Sequence, residues 1–163
     1  GIKDPLAKMD DWLDVWKFNV GIAIEINTLL VPPMRKNKWG RIIHVSSVNA
    51  VTGGPMLEPY GGAGAYSCAK AYLNMYTKFI GREFAKDNVI VSAVMPGTIY
   101  SKGKHWDKLQ KKDPQKVNEY LERYHAIGRF GNADEIAPFV LLLASNHASF
   151  AAGTLINIDG GAL

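Results

Sequence analysis

The sequence predicts an α/β fold built around a parallel sheet, and two apolar runs separated by a long helical pattern carry that prediction. Residues 41–45 and 88–95 are short runs rich in Ile and Val, as expected for parallel strands that are buried on both faces. Between them, residues 65–85 repeat apolar side chains at helical spacing. The 163 residues suffice for one hydrophobic core, so we expect a single domain over residues 1–163.

The first predicted element is a long helix over residues 10–34, which precedes the first strand. Asp10 or Asp11 would cap its start, and Pro32 and Pro33 would break its final turns. Its apolar side chains recur at helical spacing. They include Trp12, Val15, Trp16, Val20, Ile24 and Leu29.

The helix predicted over residues 65–85 has apolar side chains around much of its circumference. These are Tyr72, Leu73, Tyr76, Phe79, Ile80 and Phe84. Such wide coverage predicts burial on more than one side of the helix. The alternative is that these side chains face only the sheet.

The C-terminal part of the chain adds further helices and a last strand. Asp113-Pro114 marks a break between helical pieces within residues 102–124. Residues 128–135 combine a turn with acidic side chains, which predicts a capped start for a helix that runs through Leu143. A strand over residues 154–158 would complete the sheet.

Tyr66 and Lys70 lie four residues apart in the helix over residues 65–85, which puts a phenol and an ammonium on one helical face. A fixed cation stabilises a phenolate, so we expect Lys70 to lower the pKa of Tyr66 towards neutral pH. The pair would then act as an acid/base unit. The alternative is a half-buried tyrosine beside a solvated lysine.

Polar and flexible residues follow the two predicted strands, at the sheet edge where open α/β sheets bind ligands. Ser47 follows the first strand, and strand alternation favours it over Ser46. Pro96-Gly97 follows the second strand, where such a pair forms a loop whose backbone can approach a ligand closely. We therefore expect Ser47 to meet Tyr66 at this edge.

Five motifs in this order resemble the short-chain dehydrogenases and reductases, over nearly the whole chain. They are Asn19 in Trp16-Lys17-Phe18-Asn19-Val20, Ser47, Tyr66 with Lys70, Pro96-Gly97, and the closing Asn157-Ile158-Asp159-Gly160-Gly161. The resemblance is strongest to the branch that includes β-ketoacyl carrier-protein reductases and sugar or steroid alcohol dehydrogenases. It implies a Rossmann-like doubly wound parallel sheet, here with its last three strands, and without the glycine-rich N-terminal βαβαβ half.

The resemblance implies an NAD(P)-dependent oxidoreductase that interconverts an alcohol and a carbonyl by hydride transfer. Tyr66 would be the acid/base, Ser47 would hold the reacting oxygen, and Lys70 would favour the tyrosinate and reach the nicotinamide ribose. Asn19 would serve a water-linked proton relay to Lys70, the alternative being an ordinary helix amide. The residues that would contact NAD or NADP are Tyr66, Lys70, Pro96, Gly97, Thr98, Ile99 and Ser101.

By the same resemblance, residues 102–124 form the segment that covers the substrate. The candidates for substrate contact are Ser47, Tyr60, Tyr100, His105 and Trp106. For the last four, the alternative is a surface or packing role. An insertion over residues 55–60 would reshape the substrate entrance.

Composition argues against several other classes of protein. The net charge of +4 is scattered, so we expect no nucleic-acid partner. No apolar stretch approaches the roughly 18 residues of a membrane helix, so we expect no membrane partner. Cys68 is the single cysteine, which suits a reducing cytoplasm. His44 and His125 have no nearby ligand partners in the sequence, so we predict no metal site.

Two alternative functions remain open from the sequence. The chain could be a binding or oligomerisation module without catalysis, because it lacks a phosphate-binding glycine turn. A weaker alternative is an NAD-dependent epimerase or dehydratase, although the short region after Gly97 argues against it. In the family, the two long helices pack against their copies in a neighbouring subunit, so the resemblance implies a homodimer or homotetramer.

Overall fold

A computed structural model describes residues 4–54 and 63–162 of the chain. Within those ranges, three strands alternate with helices along the chain. The strands are β1 (Gly40–Val45), β2 (Val89–Pro96) and β3 (Leu155–Ile158). The helices are α1 (Met9–Trp16), a π-helix (Lys17–Gly21), α2 (Ile22–Lys36), α3 (Asn49–Thr52), α4 (Gly64–Phe84), α5 (His105–Lys112), α6 (Pro114–Tyr124) and α7 (Ala133–Ala144), with short 3₁₀ turns at Ala85–Asp87 and Asn146–Ala148.

The three strands form one parallel sheet in the order β1-β2-β3, which confirms the predicted α/β class. Gly40 pairs with Val89 and Val45 with Val94, while Ala93 pairs with Leu155 across the other side of β2. The central strand β2 is buried from its first residue to Met95, as its continuous apolar run predicts. Each predicted strand agrees with the observed one to within one residue at either end.

Helices cover both faces of the sheet, and neighbouring strand residues point to opposite faces. Ile42 packs with Val91 and Ile80 of α4 on one face. Ile43 packs with Val94 and Leu143 of α7 on the other face. This alternation has the period of two residues that a strand imposes, so one strand contributes to two cores.

The long N-terminal helix is continuous, and the predicted break at its prolines is wrong. Helical structure runs from Met9 to Lys36, with Pro32 and Pro33 inside α2. Each proline removes one amide donor, but the next turn still closes because the Asn37 amide donates to the Pro33 carbonyl at 3.0 Å. The predicted caps Asp10 and Asp11 lie in the first turn instead, where acidic side chains favour the positive end of the helix dipole.

Helix α4 buries one side and exposes the other. Ala69, Leu73 and Ile80 are buried against the sheet and α2, whereas Met75 is 65% and Phe79 is 62% exposed. The apolar coverage is therefore wider than the sheet requires. The sequence predicts burial on a second side of this helix, but no part of the described chain covers Met75 or Phe79 there.

Two helical pieces follow β2 and are joined at Asp113, as predicted. The carboxylate of Asp113 accepts from the Lys116 amide and so caps α6. The two helices share a cluster in which Trp106 and Leu109 pack against Val117, Tyr120 and Leu121. Helix α7 begins at a capping box between Asn132 and Glu135, which confirms the predicted capped start.

The close contact of Gly81 with Gly153 allows a local test of how α4 packs. A Cβ at Gly81 would lie 2.5 Å from the Gly153 nitrogen, whereas one at Gly64 would meet no described atom within 4 Å. Gly81→Ala should therefore lower the free energy of unfolding by about 1 to 3 kcal/mol through overpacking. Gly64→Ala, in the first turn of the same helix, is the matched control and should cause no such loss. Equal denaturation midpoints for the two variants would contradict this packing.

Candidate active site

The pairing of β1 with β2 continues beyond the end of β1 and places Ser47 at the carboxyl edge of the sheet. The Ser46 amide donates to the Val94 carbonyl at 2.9 Å, and the Val48 amide donates to the Pro96 carbonyl at 3.0 Å. The intervening Ser47 is buried, and its hydroxyl accepts from the Asn49 amide at 3.2 Å. Ser47 therefore sits on fixed backbone at the edge where the loop after β2 begins.

The two serine hydroxyls have different partners. The Ser46 hydroxyl donates to the Lys70 carbonyl at 3.3 Å, a contact that joins β1 to helix α4. The Ser47 hydroxyl instead lies close enough to the phenol of Tyr66 to lower its pKa, and both residues line one cleft. Ser47 and Tyr66 thus meet at the sheet edge, as their positions in the sequence predict.

Lys70 lies one helical turn after Tyr66 and is close to its ring. The Lys70 ammonium is 5.5 Å from the centroid of the Tyr66 ring, and it donates to the Val45 carbonyl at 2.9 Å. The carbonyl belongs to the last residue of β1, two positions before Ser47. The same lysine therefore touches the tyrosine and the strand that carries the serine.

The pKa of Tyr66 differs from the sequence-based expectation. Burial raises the pKa of this phenol above its ordinary value, and the nearby Ser47 hydroxyl offsets only part of that rise. Burial also lowers the pKa of Lys70, whose ammonium is directed at the Val45 carbonyl. The predicted lowering of the Tyr66 pKa by Lys70 is therefore wrong for the protein alone, and Tyr66 is a phenol at neutral pH.

A cleft of about 260 Å³ opens beside Ser47 and Tyr66 and contains many of the predicted site residues. Gly97, Thr98 and Ile99 form one wall of this cleft, and His105 and Trp106 of α5 form another. The residues that line it are Ser47, Asn49, Ala63, Tyr66, Gly97, Thr98, Ile99, His105, Trp106 and Tyr120. The predicted reactive hydroxyls, cofactor loop and substrate segment therefore share one concave site.

Gly97 allows the loop after β2 to touch the loop after β3. A Cβ at Gly97 would lie 2.6 Å from the Asp159 carbonyl oxygen and 2.7 Å from its Cα. The Gly97 amide donates to the Ile158 carbonyl at 3.1 Å, which continues the pairing of β2 with β3. Glycine at this position therefore serves contact between two loops, where a larger residue would push the cleft wall outward.

Five of the described site residues that the sequence predicts do not line this cleft: Lys70, whose contacts are given above, and Pro96, Ser101, Tyr100 and Asn19. Pro96 ends β2, and Ser101 is exposed in the loop that follows. The Tyr100 hydroxyl donates to the buried Asp107 carboxylate, and this bond raises the Tyr100 pKa. Asn19 lies in the π-helix, where its side-chain amide donates to the Val15 carbonyl at 2.9 Å. Tyr60 and the predicted insertion at residues 55–60 fall outside the described residues.

Tyr120 lines the cleft, although the sequence did not single it out. It belongs to α6, and its ring stacks on Trp106 with 4.6 Å between centroids. Its signal in the sequence is the helical spacing of Val117, Tyr120, Leu121 and Tyr124, which predicts one inward-facing side of α6. That spacing predicts a buried face, but not that the face borders the reactive hydroxyls.

His44 forms a buried hydrogen-bond network behind the site. Its Nδ1 lies 2.7 Å from the Thr77 hydroxyl, which itself donates to the Leu73 carbonyl at 2.7 Å. Nδ1 must therefore donate, and Nε2 accepts from the Asn27 amide at 3.1 Å. This neutral ring joins β1 to helices α2 and α4. Burial, with a smaller contribution from the Lys70 charge, lowers its pKa to about 4.

Metal-binding side-chain groups and membrane-spanning helices are both absent from residues 4–54 and 63–162. In these ranges, no group of three or more His, Cys, Asp or Glu side chains is placed to hold a metal ion. None of the helices described there has the length and apolar character needed to cross a membrane.

Comparison with known proteins identifies the family. A family model described as enoyl-(acyl carrier protein) reductase matches residues 4–162. The 3-oxoacyl-[acyl-carrier-protein] reductase FabG of Thermotoga maritima is 34% identical over 154 residues, which are 94% of this chain and 58% of that protein. FabG of Aquifex aeolicus is 36% identical over 151 residues, which are 93% of this chain and 56% of that protein.

Solved structures agree with this relationship. The L-sorbose reductase of Gluconobacter frateurii, complexed with NADPH and L-sorbose, superposes with a TM-score of 0.85 at 30% identity, covering 100% of this chain and 63% of that one. A 3-oxoacyl (acyl-carrier-protein) reductase of Agrobacterium tumefaciens C58 with NADP bound gives 0.85 at 27% identity, covering 96% and 57%. The chain belongs to the short-chain dehydrogenase/reductase family. It spans less than two thirds of the length of these relatives.

The His44 network predicts a pH dependence of stability. The folded-state pKa of about 4 lies below the ordinary 6.5, so the unfolded state binds more protons between these values. Lowering the pH from 6.5 to 4 should therefore reduce the free energy of unfolding, by about 3 kcal/mol in total. Chemical denaturation at several pH values measures this slope.

A variant isolates the contribution of His44 to that slope. His44→Asn keeps a hydrogen-bonding side chain and has no group that titrates in this window. The difference in unfolding free energy between the two proteins should change across pH 6.5 to 4 and then level off below it. A difference that is the same at every pH would contradict the assignment of a buried neutral ring.

Proposed function

We propose that the protein is an NAD(P)-dependent oxidoreductase that interconverts an alcohol and a carbonyl, with Tyr66 as the acid/base. The observation that carries this proposal is that Ser47 and Tyr66 line one cleft together with Gly97, Thr98 and Ile99. Related reductases of the family have been solved with NADP or with NADPH and a sugar. The residues of the cleft and the related reductases both support hydride transfer between a nicotinamide cofactor and a carbonyl.

The two hydroxyls would hold and protonate one oxygen atom of the substrate. Ser47 can donate to a carbonyl oxygen while it still accepts from the Asn49 amide. Tyr66 would donate its phenolic proton to the same oxygen as negative charge develops there. Because burial raises the pKa of Tyr66, the phenol keeps its proton at neutral pH. The protein alone is therefore prepared to act as an acid, which favours carbonyl reduction.

The residues around the cleft suit the nicotinamide half of NAD or NADP. The cofactor would supply or accept the hydride. Gly97, Thr98 and Ile99 offer a wall of backbone and small side chains. Lys70 has three donors, one of which is engaged by the Val45 carbonyl, and the others would reach the ribose hydroxyls. Pro96 would shape the start of this loop, and Ser101 would contact the cofactor from its exposed position.

Asn19 would contribute through the backbone of its helix. Its side chain is engaged with the Val15 carbonyl, and it lies in the five-residue π-helix Lys17–Gly21. A π-turn widens the helix and disturbs its regular hydrogen bonds, and such turns are frequent at functional sites. We therefore assign the proposed water-linked relay towards Lys70 to the main chain around Asn19 and not to its amide side chain.

Substrate contact would come mainly from His105 and Trp106, which line the cleft opposite the cofactor wall. Tyr100 is less suited, since its hydroxyl is held by Asp107. The related enzymes act on an acyl carrier-protein substrate or on L-sorbose, so the comparison supports a carbonyl class without choosing among its members. Tyr60 remains a candidate for substrate contact.

We also propose that the protein is a homodimer or homotetramer that pairs through its long helices. Phe18 of the π-helix is 76% exposed, Leu29 of α2 is 75% exposed and Phe79 of α4 is 62% exposed. Large apolar side chains repeated on neighbouring helices are typical of a surface that another chain covers. A second copy of the same two helices would cover them symmetrically.

Tyr66→Phe in the full-length protein tests the acid/base assignment. Turnover should fall by about 10² to 10⁴-fold, because the phenolic proton is lost while the ring and the cleft remain. Cofactor affinity, measured by NADPH or NADH fluorescence, should change little. Tyr72→Phe is the matched control, since Tyr72 is an exposed tyrosine of the same helix. Retained turnover in Tyr66→Phe would disprove the assigned role.

The raised pKa of Tyr66 predicts opposite pH profiles for the two reaction directions. Reduction needs the phenol, so its kcat/KM should be level around neutral pH and should fall as pH rises through the Tyr66 pKa. Oxidation needs the phenolate, so its kcat/KM should increase over the same range. Steady-state rates measured in both directions give the two profiles. Profiles that change in the same direction would rule out Tyr66 as the shared proton donor and acceptor.

A further inference from the structure

A chain of buried hydrogen bonds runs behind the wall of the cleft that faces Tyr66. The Thr98 hydroxyl lies 2.8 Å from His125 Nε2 and 3.1 Å from the Tyr120 hydroxyl. On its other side, His125 Nδ1 lies 3.2 Å from the Asp159 carbonyl oxygen. His125 is 4% exposed and Tyr120 is 7% exposed, so the protein shields this chain from solvent.

The chemistry of the groups orders the donors along this chain. A carbonyl oxygen only accepts, so His125 Nδ1 carries the proton that faces Asp159. In the neutral ring Nε2 is then an acceptor, and the Thr98 hydroxyl donates to it. The Thr98 oxygen in turn accepts from Tyr120, whose pKa is raised by burial, so its phenol keeps the proton. Thr98 is thereby held in one orientation from both sides.

The backbone around His125 is itself firmly paired. The Ala126 amide donates to the Gly161 carbonyl and the Ile127 amide to the Gly160 carbonyl, both at 3.0 Å. The Gly131 amide donates to the Thr98 carbonyl, also at 3.0 Å. The backbone at His125 is therefore fixed in position, and its ring orients the Thr98 side chain through their hydrogen bond.

Thr98 and Tyr120, which are neighbours in this series of hydrogen bonds, line the same cleft from two different segments. Thr98 lies in the wall formed by the loop after β2. Tyr120 stacks on Trp106 and lines the same cleft from α6. The Thr98 hydroxyl is thus the point at which the helices α5 and α6 are tied to the loop after β2.

We propose that His125 is a positioning residue, which acts through Thr98 to hold the cofactor wall and the aromatic substrate wall at one fixed separation. This inference rests on the proposed function, because it assigns the nicotinamide to the wall that contains Thr98. His125 itself contacts neither substrate nor cofactor. It fixes where the nicotinamide ring and the substrate carbonyl lie relative to each other. Hydride transfer depends steeply on that geometry.

The test compares variants of Thr98 and His125 in the full-length protein. Thr98→Val keeps the shape and removes the hydroxyl, whereas Thr98→Ser keeps the hydroxyl. His125→Leu removes the acceptor, and His147→Leu, at an exposed histidine, is the matched control. The readouts are the KM for NADPH and NADH, kcat, and the thermal midpoint of each variant.

Thr98→Val and His125→Leu should each lower kcat/KM for the preferred cofactor by about three- to tenfold, because both remove the hydrogen bond between Thr98 and His125. Thr98→Ser should lose less kcat/KM than Thr98→Val, because it keeps the hydroxyl, and His147→Leu should keep the original kcat/KM. The double variant Thr98→Val/His125→Leu should be no worse than the poorer single variant, because both remove the same bond. If His125→Leu does not fold, the comparison of Thr98→Val with Thr98→Ser decides the question.

The contrary results are distinct. A lower thermal midpoint with an unchanged kcat/KM in Thr98→Val would show that these hydrogen bonds only stabilise the fold, and would overturn this inference while the proposed function stands. If the losses of kcat/KM in the two single variants multiply in the double variant, the inference is also overturned. If the original protein binds neither NADPH nor NADH, the proposed function and this inference both fail.

Discussion

The pairing of β1 with β2 is the constraint on which the site depends. It continues past the last residue of β1, through the amides of Ser46 and Val48, so Ser47 lies on backbone that is hydrogen-bonded to the central strand on both sides. The same central strand ends at Pro96 and releases the Gly97 loop at that edge. Helix α4 then needs only to pack on the sheet for its first turns to bring Tyr66 to Ser47.

Features that depend on short-range patterns could be predicted from the sequence. The three strands follow from apolar runs, and the capped start of α7 follows from the spacing of Asn132 and Glu135. The meeting of Ser47 and Tyr66 could also be predicted, because parallel strands end at a common edge and the intervening chain leads into the next helix. These are relations between neighbouring elements, and residue order already contains them.

Features that depend on burial and on distant partners could not be predicted in the same way. The Tyr66 pKa depends on how much protein surrounds the phenol, and here that burial outweighs the lowering by the nearby Ser47 hydroxyl. The hydrogen-bond partners of the His125 ring, Thr98 and Asp159, lie in two distant segments that the fold alone brings together. The prolines of α2 are predicted to break the helix, because proline lacks an amide donor. The helix continues instead, since the following turn still forms its hydrogen bonds.

The central claim is that Ser47 and Tyr66 together hold one substrate oxygen beside the Gly97 loop. A crystal structure of the full-length protein with oxidised cofactor and a carbonyl compound tests it directly, because this combination cannot transfer hydride and so stays intact. The account predicts that the carbonyl oxygen lies about 2.6 to 3.2 Å from both hydroxyl oxygens, with the nicotinamide against Gly97 and Thr98. A carbonyl oxygen beyond hydrogen-bond distance of both hydroxyls, in a complex with a carbonyl compound that the protein reduces in solution, would contradict the account.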